Sequence, residues 1–291
     1  WPLMTNNKKL ILACIDGSKL SEAVCDYAVW LAQRVEGPLK LMYTIDHHQE
    51  TAKEVDLSGN LGVDSRDHLL EEITSNEHTR SKLRLKEGKS ILQAAKERVV
   101  EDGFNDPILC LQHGRLIETL VELKEELRIL VIGARGKMHE DQTDKIGAKL
   151  ESMIRSLHGH IFVAYAAFKI PQRIMIAYDG SEASEQHIDM IANSPIYKGL
   201  SCHLVCVNKK DTAESLIEQA VNQLKSAGWS NIVSASLQGK TEDELCDYQV
   251  SHNIDLTIMG AFNHTRLHDL ILGSFTTKML LNTKTPLLLL R

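Results

Sequence analysis

The sequence states one pattern twice. Residues 10–18, LILACIDGS, recur as RIMIAYDGS at 173–181, so that Asp16 and Asp179 stand 163 residues apart. A second pair follows in the same order, LRILVIGARG at 127–136 and IDLTIMGAFN at 254–263. A 291-residue chain built in this way is expected to fold as two similar halves, each long enough to bury its own core. Each matched segment is a short apolar run closed by glycine, which reads as a buried strand.

Between these runs the apolar spacing changes to that of helices. In the first half, strands are expected at 10–16, 39–45, 108–114, 129–133 and 161–165. Helices are expected at 21–35, 90–104, 116–126 and 148–159. The second half repeats the order from IMIAYD (174–179) to PLLLLR (286–291). Strictly alternating strand and helix imply a parallel sheet with helices on both faces, the doubly wound α/β class. The boundary falls at AFKIPQR (167–173), where Pro171 precedes the restart, giving domains 4–168 and 169–291. The first domain carries an insert over 46–89, polar at first and then charged and helical. Leu69, Leu70 and Ile73 fall on one face of it, which is expected to pack on the core or on the other domain.

Composition narrows the class of function. A net charge of −6 offers no general attraction for nucleic acid or an anionic membrane, and no apolar run reaches membrane-spanning length. The start, WPLMTNNKK, has no apolar stretch ahead of its lysines, so a cytoplasmic protein is expected, with its natural start at Met4. The six cysteines contain no CxxC pair, which argues against a metal or disulfide framework and fits a reducing compartment.

Two constellations carry chemistry. Asp16-Gly17-Ser18 and Asp179-Gly180-Ser181 end the opening strands, on the rim where open α/β sheets bind ligands. The carboxylates there can accept hydrogen bonds from a ribose or an adenine amine; equally, Asp or Ser there can cap the next helix. The second constellation is Gly260, Asn263, Gly273, Ser274 and Thr276. Glycine after a strand admits close backbone approach, and Gly-Ser-x-Thr at a helix start offers amides, hydroxyls and the positive dipole end to an anion. The other reading is a helix N-cap alone.

The first half ends differently. Its matching stretch is Gly133, Gly136, Gly147 and Ala148, one residue longer and without the hydroxyl. Glu140, Asp141 and Asp144 lie in its loop, offset in part by Lys137 and Lys145, whereas the second loop has His264, Arg266 and His268 against Asp269. Electrostatics favours an anion in the second half. His264 and His268 are four apart but lack an acidic or cysteine partner, so a solvated loop is expected rather than a metal site. His47, His48, His158 and His160 read as surface or strand-end residues. Neither a catalytic triad, a carboxylate pair nor a P-loop signature is present.

These motifs together resemble the universal stress protein family in its tandem two-domain form, over essentially the whole chain. That family's nucleotide motif, G-2x-G-9x-G-[S/T], is matched by Gly260, Asn263, Gly273 and Ser274, with asparagine replacing one glycine. The segment DLSGNLGVDSRDHLLEEI is also similar to the insert of tandem bacterial members. The resemblance implies a five-stranded, doubly wound adenine-nucleotide α-hydrolase-like fold in each half. It implies that the last strands, IFVAY and LLLLR, pair antiparallel to form an internal pseudo-dimer, with a homodimer compatible. It further implies ATP or a related adenine nucleotide as ligand, with or without magnesium. Ala177, Asp179 and Val207 would hold adenine and ribose. Met259, Gly260, Phe262, Asn263, Gly273, Ser274, Phe275 and Thr276 would wrap ribose and phosphates. The implied role is a stress-response regulator with at most slow hydrolysis and no identifiable catalytic residue. The alternatives are a nucleotide-free scaffold, a binder of a small or acyl ligand, and a slow nucleotide hydrolase.

Overall fold

In a computed structural model, the structure describes residues 9–45, 63–136, 148–157, 159–208, 213–261 and 272–291. The apolar runs of the first half form β1 (Leu10–Ile15), β2 (Leu39–Ile45), β3 (Ile108–His113), β4 (Leu127–Gly133) and β5 (His160–Ala164). Those of the second form β6 (Arg173–Tyr178), β7 (Ser201–Val207), β8 (Ile232–Leu237), β9 (Leu256–Gly260) and β10 (Leu287–Leu290). The intervening helices are α1 (Ser21–Val35), α2 (Val63–Glu101), α3 (Leu116–Glu122) and α4 (Ala148–Ser156). They continue with α5 (Glu182–Asn193), α6 (Ala213–Ser226), α7 (Thr241–Ser251) and α8 (Ser274–Asn282).

All ten strands join one sheet in the order β3-β2-β1-β4-β5-β10-β9-β6-β7-β8. Every pairing is parallel except the central one, β5 with β10, which sets Phe162 opposite Leu288. The order is therefore the same five-strand pattern read outward from a pseudo-twofold, an internal pseudo-dimer. One face is covered by α1, α2, α5 and α6, burying Leu31, Val99, Ile188 and Leu224. The other is covered by α3, α4, α7 and α8, burying Leu120, Ile154, Leu245 and Met279. Burial on both faces explains why β1 and β10 read as unbroken apolar runs rather than alternating ones.

Contacts across the halves are polar as well as apolar. The Arg34 guanidinium donates to the carbonyl oxygens of Ile196 and Lys198, both at 2.9 Å. The Tyr165 hydroxyl donates to the Leu280 carbonyl at 2.8 Å. The connection before β6 is clasped by Asp255, whose carboxylate accepts from Lys169 Nζ at 2.5 Å and from the amides of Gln172 and Arg173.

Two expectations need correction. The helix expected at 90–104 is the end of a single helix running from Val63 to Glu101, roughly 58 Å long at 1.5 Å per residue. Its C-terminal part buries Leu92, Ala95 and Val99, and Arg98 grips Asp26 of α1 through two bonds of 2.5 and 2.8 Å. The helical part expected in the insert is thus continuous with the helix expected at 90–104. The helix expected over 116–126 stops at Glu122, where Glu125 and Glu126 would load negative charge onto its already negative C-terminal end. Residues 46–62 of the insert, and the side chains of Leu69, Leu70 and Ile73, lie outside the described residues.

Candidate functional site

The chain order reverses between β6 and β9, and the ends of these strands open a crevice of the kind that receives ligands in doubly wound sheets. A cavity of about 340 Å³ occupies it. Ala177 and Asp179 come from the end of β6, Val205 and Val207 from β7, Met259 and Gly260 from β9. Ser184 and His187 of α5, Leu245 of α7 and Phe275 of α8 complete the walls. The lining is mostly apolar with a few polar groups, the usual make-up of a small-molecule site.

Local chemistry explains the rim. Gly180 has φ +72°, and a Cβ there would meet Leu216 at 2.5 Å, so only glycine follows Asp179 without strain. The Asp179 carboxylate accepts from the Ser181 amide at 3.0 Å, and Ser181 Oγ accepts from the Ser184 amide at 3.2 Å to cap α5. The capping reading thus holds for Ser181, while Asp179 stands at the edge of the cavity.

At the opposite wall, α8 starts at Ser274 with Gly273 as its cap residue and no side-chain cap bond. The amides of Ser274, Phe275 and Thr276 open the helix without an intrahelical partner, the arrangement that attracts anions. The Thr276 hydroxyl is buried and donates to the Ala261 carbonyl at 2.9 Å, tying α8 to the end of β9. Phe262 and Asn263, and the loop carrying His264, Arg266 and His268, lie outside the described residues.

One charged pair in the wall was not legible beforehand. Glu242, at the start of α7, is buried and receives Lys278 Nζ of α8 at 2.5 Å, with Lys240 Nζ at 3.8 Å. The Lys278 hydrogen bond holds the Glu242 carboxyl below its ordinary range. The signal that could have exposed this wall is a comparison of the copies. Where Leu20 precedes α1, the corresponding residue is Ala183 of α5, a small residue that lines the cavity beside the strand ends.

In the first half, described residues crowd the corresponding strand ends. Leu20 lies over Gly133, so close that a Cβ there would sit 3.0 Å from Leu20 Cβ. The chain after β4 folds onto the rim carboxylate: a Cβ on Gly136 would lie 2.8 Å from Asp16 Oδ2. At Gly260, by contrast, the nearest atom is His187 Cε1 at 3.3 Å. Gly147 and the charged loop 137–146 lie outside the described residues. Among the described residues, no group of three His, Cys, Asp or Glu side chains could hold a metal ion, and no helix is long and apolar enough to cross a membrane.

Comparison with known proteins bears on the family and the fold. The family model described as "Universal stress protein family" matches residues 8–146 and 207–291. A universal stress protein of Synechocystis sp. is 31% identical over 287 residues, covering 97% of this chain and all of that protein. Among solved structures, a universal stress protein from Archaeoglobus fulgidus is similar with a TM-score of 0.67 at 12% identity, covering 97% of this chain and 96% of its own. A putative universal stress protein from Pseudomonas aeruginosa gives 0.62 at 13% identity, covering 97% and 93%. Those two likenesses concern the fold, whereas the family match and the cyanobacterial relative concern the sequence itself. A duplicated strand-Asp-Gly-Ser, ten strands about a central antiparallel pair and these matches lead to one conclusion: this chain belongs to the universal stress protein family.

Proposed function

We propose that the second half binds ATP or a related adenine nucleotide, as a regulatory ligand of a stress-response protein. The observation that carries this reading is a convergence at one switch point: an apolar cavity of about 340 Å³, the Asp179 carboxylate at its rim and the amide end of α8. Adenine fits between Ala177, Val205 and Val207, with ribose hydroxyls donating to Asp179. The phosphates then run past Gly260 toward the amides of Ser274, Phe275 and Thr276. Because the Thr276 hydroxyl is engaged by Ala261, its contribution is through the backbone.

The first half is read as a retired copy, since Leu20 and Gly136 stand where a ligand would lie and Ala148 replaces Ser274. Hydrolysis is at most slow: Glu242, the buried carboxylate in the wall, is already committed to Lys278. Magnesium, where required, arrives with the triphosphate. All six cysteines are free thiols, which supports the reducing cytoplasm as the compartment.

The test is calorimetric titration of ATP into the wild type, Asp179→Ala and Ser274→Ala, beside native mass spectrometry of the purified protein. One equivalent per chain is expected, weakened at least tenfold in both variants. Two equivalents would overturn the assignment of the first half. Absence of binding would leave a scaffold, and sustained phosphate release would make the protein an enzyme.

A further inference from the structure

The antiparallel pairing of β5 with β10 has a geometric consequence. It lays the N-terminal edge of the first-half sheet beside the C-terminal edge of the second, against α5 and the 3-10 turn Pro195–Tyr197. A second cavity, of about 650 Å³, opens there. Its floor is apolar, from Leu288 and Leu290 of β10 and the buried Ile196 and Tyr197. Its rim is cationic: Lys9 precedes β1, Lys124 follows α3 and Arg128 lies in β4, whereas the Arg291 guanidinium is turned to Ile154 of α4 on the other face of the sheet. Glu125 and Asp189 are the acidic lining residues, and Asp189 already accepts from the side chain of Asn193. Among the described residues, Lys9, Lys124 and Arg128 form no ion pair. In a chain of net charge −6, three cations from separate segments converge on one hollow against two carboxylates, which leaves its lining net positive.

The cleft also holds a polar group set in a fixed orientation. The Arg291 amide donates to His160 Nδ1 at 3.2 Å, which assigns the proton of the neutral ring to Nε2 and makes that nitrogen a donor. Arg291 itself is anchored through Nη2 to the Ile154 carbonyl at 3.0 Å. Guanidinium and ammonium groups above an apolar floor suit a compact organic body bearing a multiply charged anionic group.

We propose that this inter-half cleft is a binding site for a small multiply anionic metabolite, a phosphate ester or a polycarboxylate, separate from the cavity under Asp179. The site rests on neither ATP nor the second-half cavity. It neighbours that cavity through α5, which offers Ser184 and His187 to one hollow and Asp189 and Met190 to the other.

The test uses the full chain with inorganic pyrophosphate and citrate as the two probes. His160 ring resonances, identified with His160→Gln, are followed by NMR in the wild type, Arg128→Gln, Lys9→Gln and Ser274→Ala. Saturable shifts at submillimolar probe are expected, weakened at least tenfold by Arg128→Gln or Lys9→Gln and unchanged by Ser274→Ala. A stronger response to pyrophosphate assigns the phosphate class, and a stronger response to citrate assigns the polycarboxylate class. Unshifted His160 resonances up to several millimolar of both probes would overturn the proposal, as would shifts insensitive to Arg128→Gln and Lys9→Gln. Shifts abolished by Ser274→Ala would place the anion at α8 instead and equally overturn it. Far-ultraviolet circular dichroism of each variant separates loss of binding from loss of fold.

Discussion

The Glu242 carboxylate, buried in the wall of the second-half cavity, accepts a 2.5 Å bond from the Lys278 ammonium. The lysine side chain is 46% exposed and the glutamate 8%, so most of the pair's desolvation falls on the acid. Replacing Lys278 by methionine leaves a buried negative charge that Lys240, at 3.8 Å, compensates only in part. A loss of about 1–2 kcal/mol in unfolding free energy is expected, discounted for the exposure of the lysine. Nucleotide affinity should fall too, because uncompensated charge then faces the ligand. Glu242→Gln should keep the stability within about 1 kcal/mol, since the amide still accepts the lysine bond. Because the Glu242 pKa is lowered on folding, this stabilisation is present above the ordinary glutamate range and is lost as pH falls through the lowered value. Denaturant titration of both variants at pH 7 and pH 4 measures each part.

Leu20 and Ala183 offer a more direct comparison of the two crevices. Leu20 covers Gly133 in the first half, whereas in the second half the matching residue is the small Ala183, which lines the cavity, and His187 Cε1 is the atom nearest Gly260. Ala183→Leu should therefore convert the second crevice toward the closed form of the first. Titration with ATP should show affinity reduced at least tenfold, with thermal stability nearly unchanged because the added side chain enters an existing hollow. Undiminished affinity would disconnect the cavity from the nucleotide.

Much of the fold was legible because the chain repeats itself. Strand-helix order in one half could be checked against the other, and β1 and β6, with their Asp-Gly-Ser ends, stand where the motifs place them. Ala177, Asp179, Val207, Met259, Gly260 and Phe275 meet at one cavity because they terminate adjacent strands or open the neighbouring helix. The extent of α2 was legible only in part: a helical segment in the insert and a helix at 90–104 were both expected, but nothing in the charged run between them showed that they are one helix. Glu242 and Lys278 escaped because their pairing joins two helices 36 residues apart. The inter-half cleft escaped for the same reason: Lys9, Arg128 and Arg291 become neighbours only once β5 and β10 pair.

Arg34 pins the two halves from outside the sheet. Its guanidinium stacks 5.2 Å above the Trp30 ring and donates to two carbonyls of the second half. Burial lowers its pKa from the ordinary value, yet an arginine stays charged throughout the accessible pH range. Arg34→Met keeps the apolar stem and removes the donors. It should cost about 2 kcal/mol, the scale of losing charge-assisted bonds to partly buried carbonyls. Both bonds leave one nitrogen, Nη1, so an ammonium can replace them in kind; Arg34→Lys should recover only part of the loss, because its shorter side chain reaches less far toward the two oxygens. Guanidinium unfolding curves of the two variants check the ranking.

His160 sets the acid side of stability at the same inter-half seam. Burial, then the charges of His187, Arg128 and Lys9, push its pKa down to about 4. The backbone amide of Arg291 faces Nδ1 and favours the neutral ring as well. Between about pH 6.5 and 4 the unfolded chain binds a proton that the folded chain refuses, so stability falls as pH falls through this window and levels off below it. The contribution is at most about 3.5 kcal/mol at roughly 1.4 kcal/mol per pKa unit. His160→Gln should flatten the window, which denaturant unfolding at half-unit pH intervals would reveal. An anion bound beside Arg128 and Lys9 would offset their charge and raise the His160 pKa. Pyrophosphate should then shift the acid decline toward lower stability loss at pH 5, and leave the His160→Gln curve less affected. A decline of equal steepness in wild type and His160→Gln would assign the acid sensitivity to other groups.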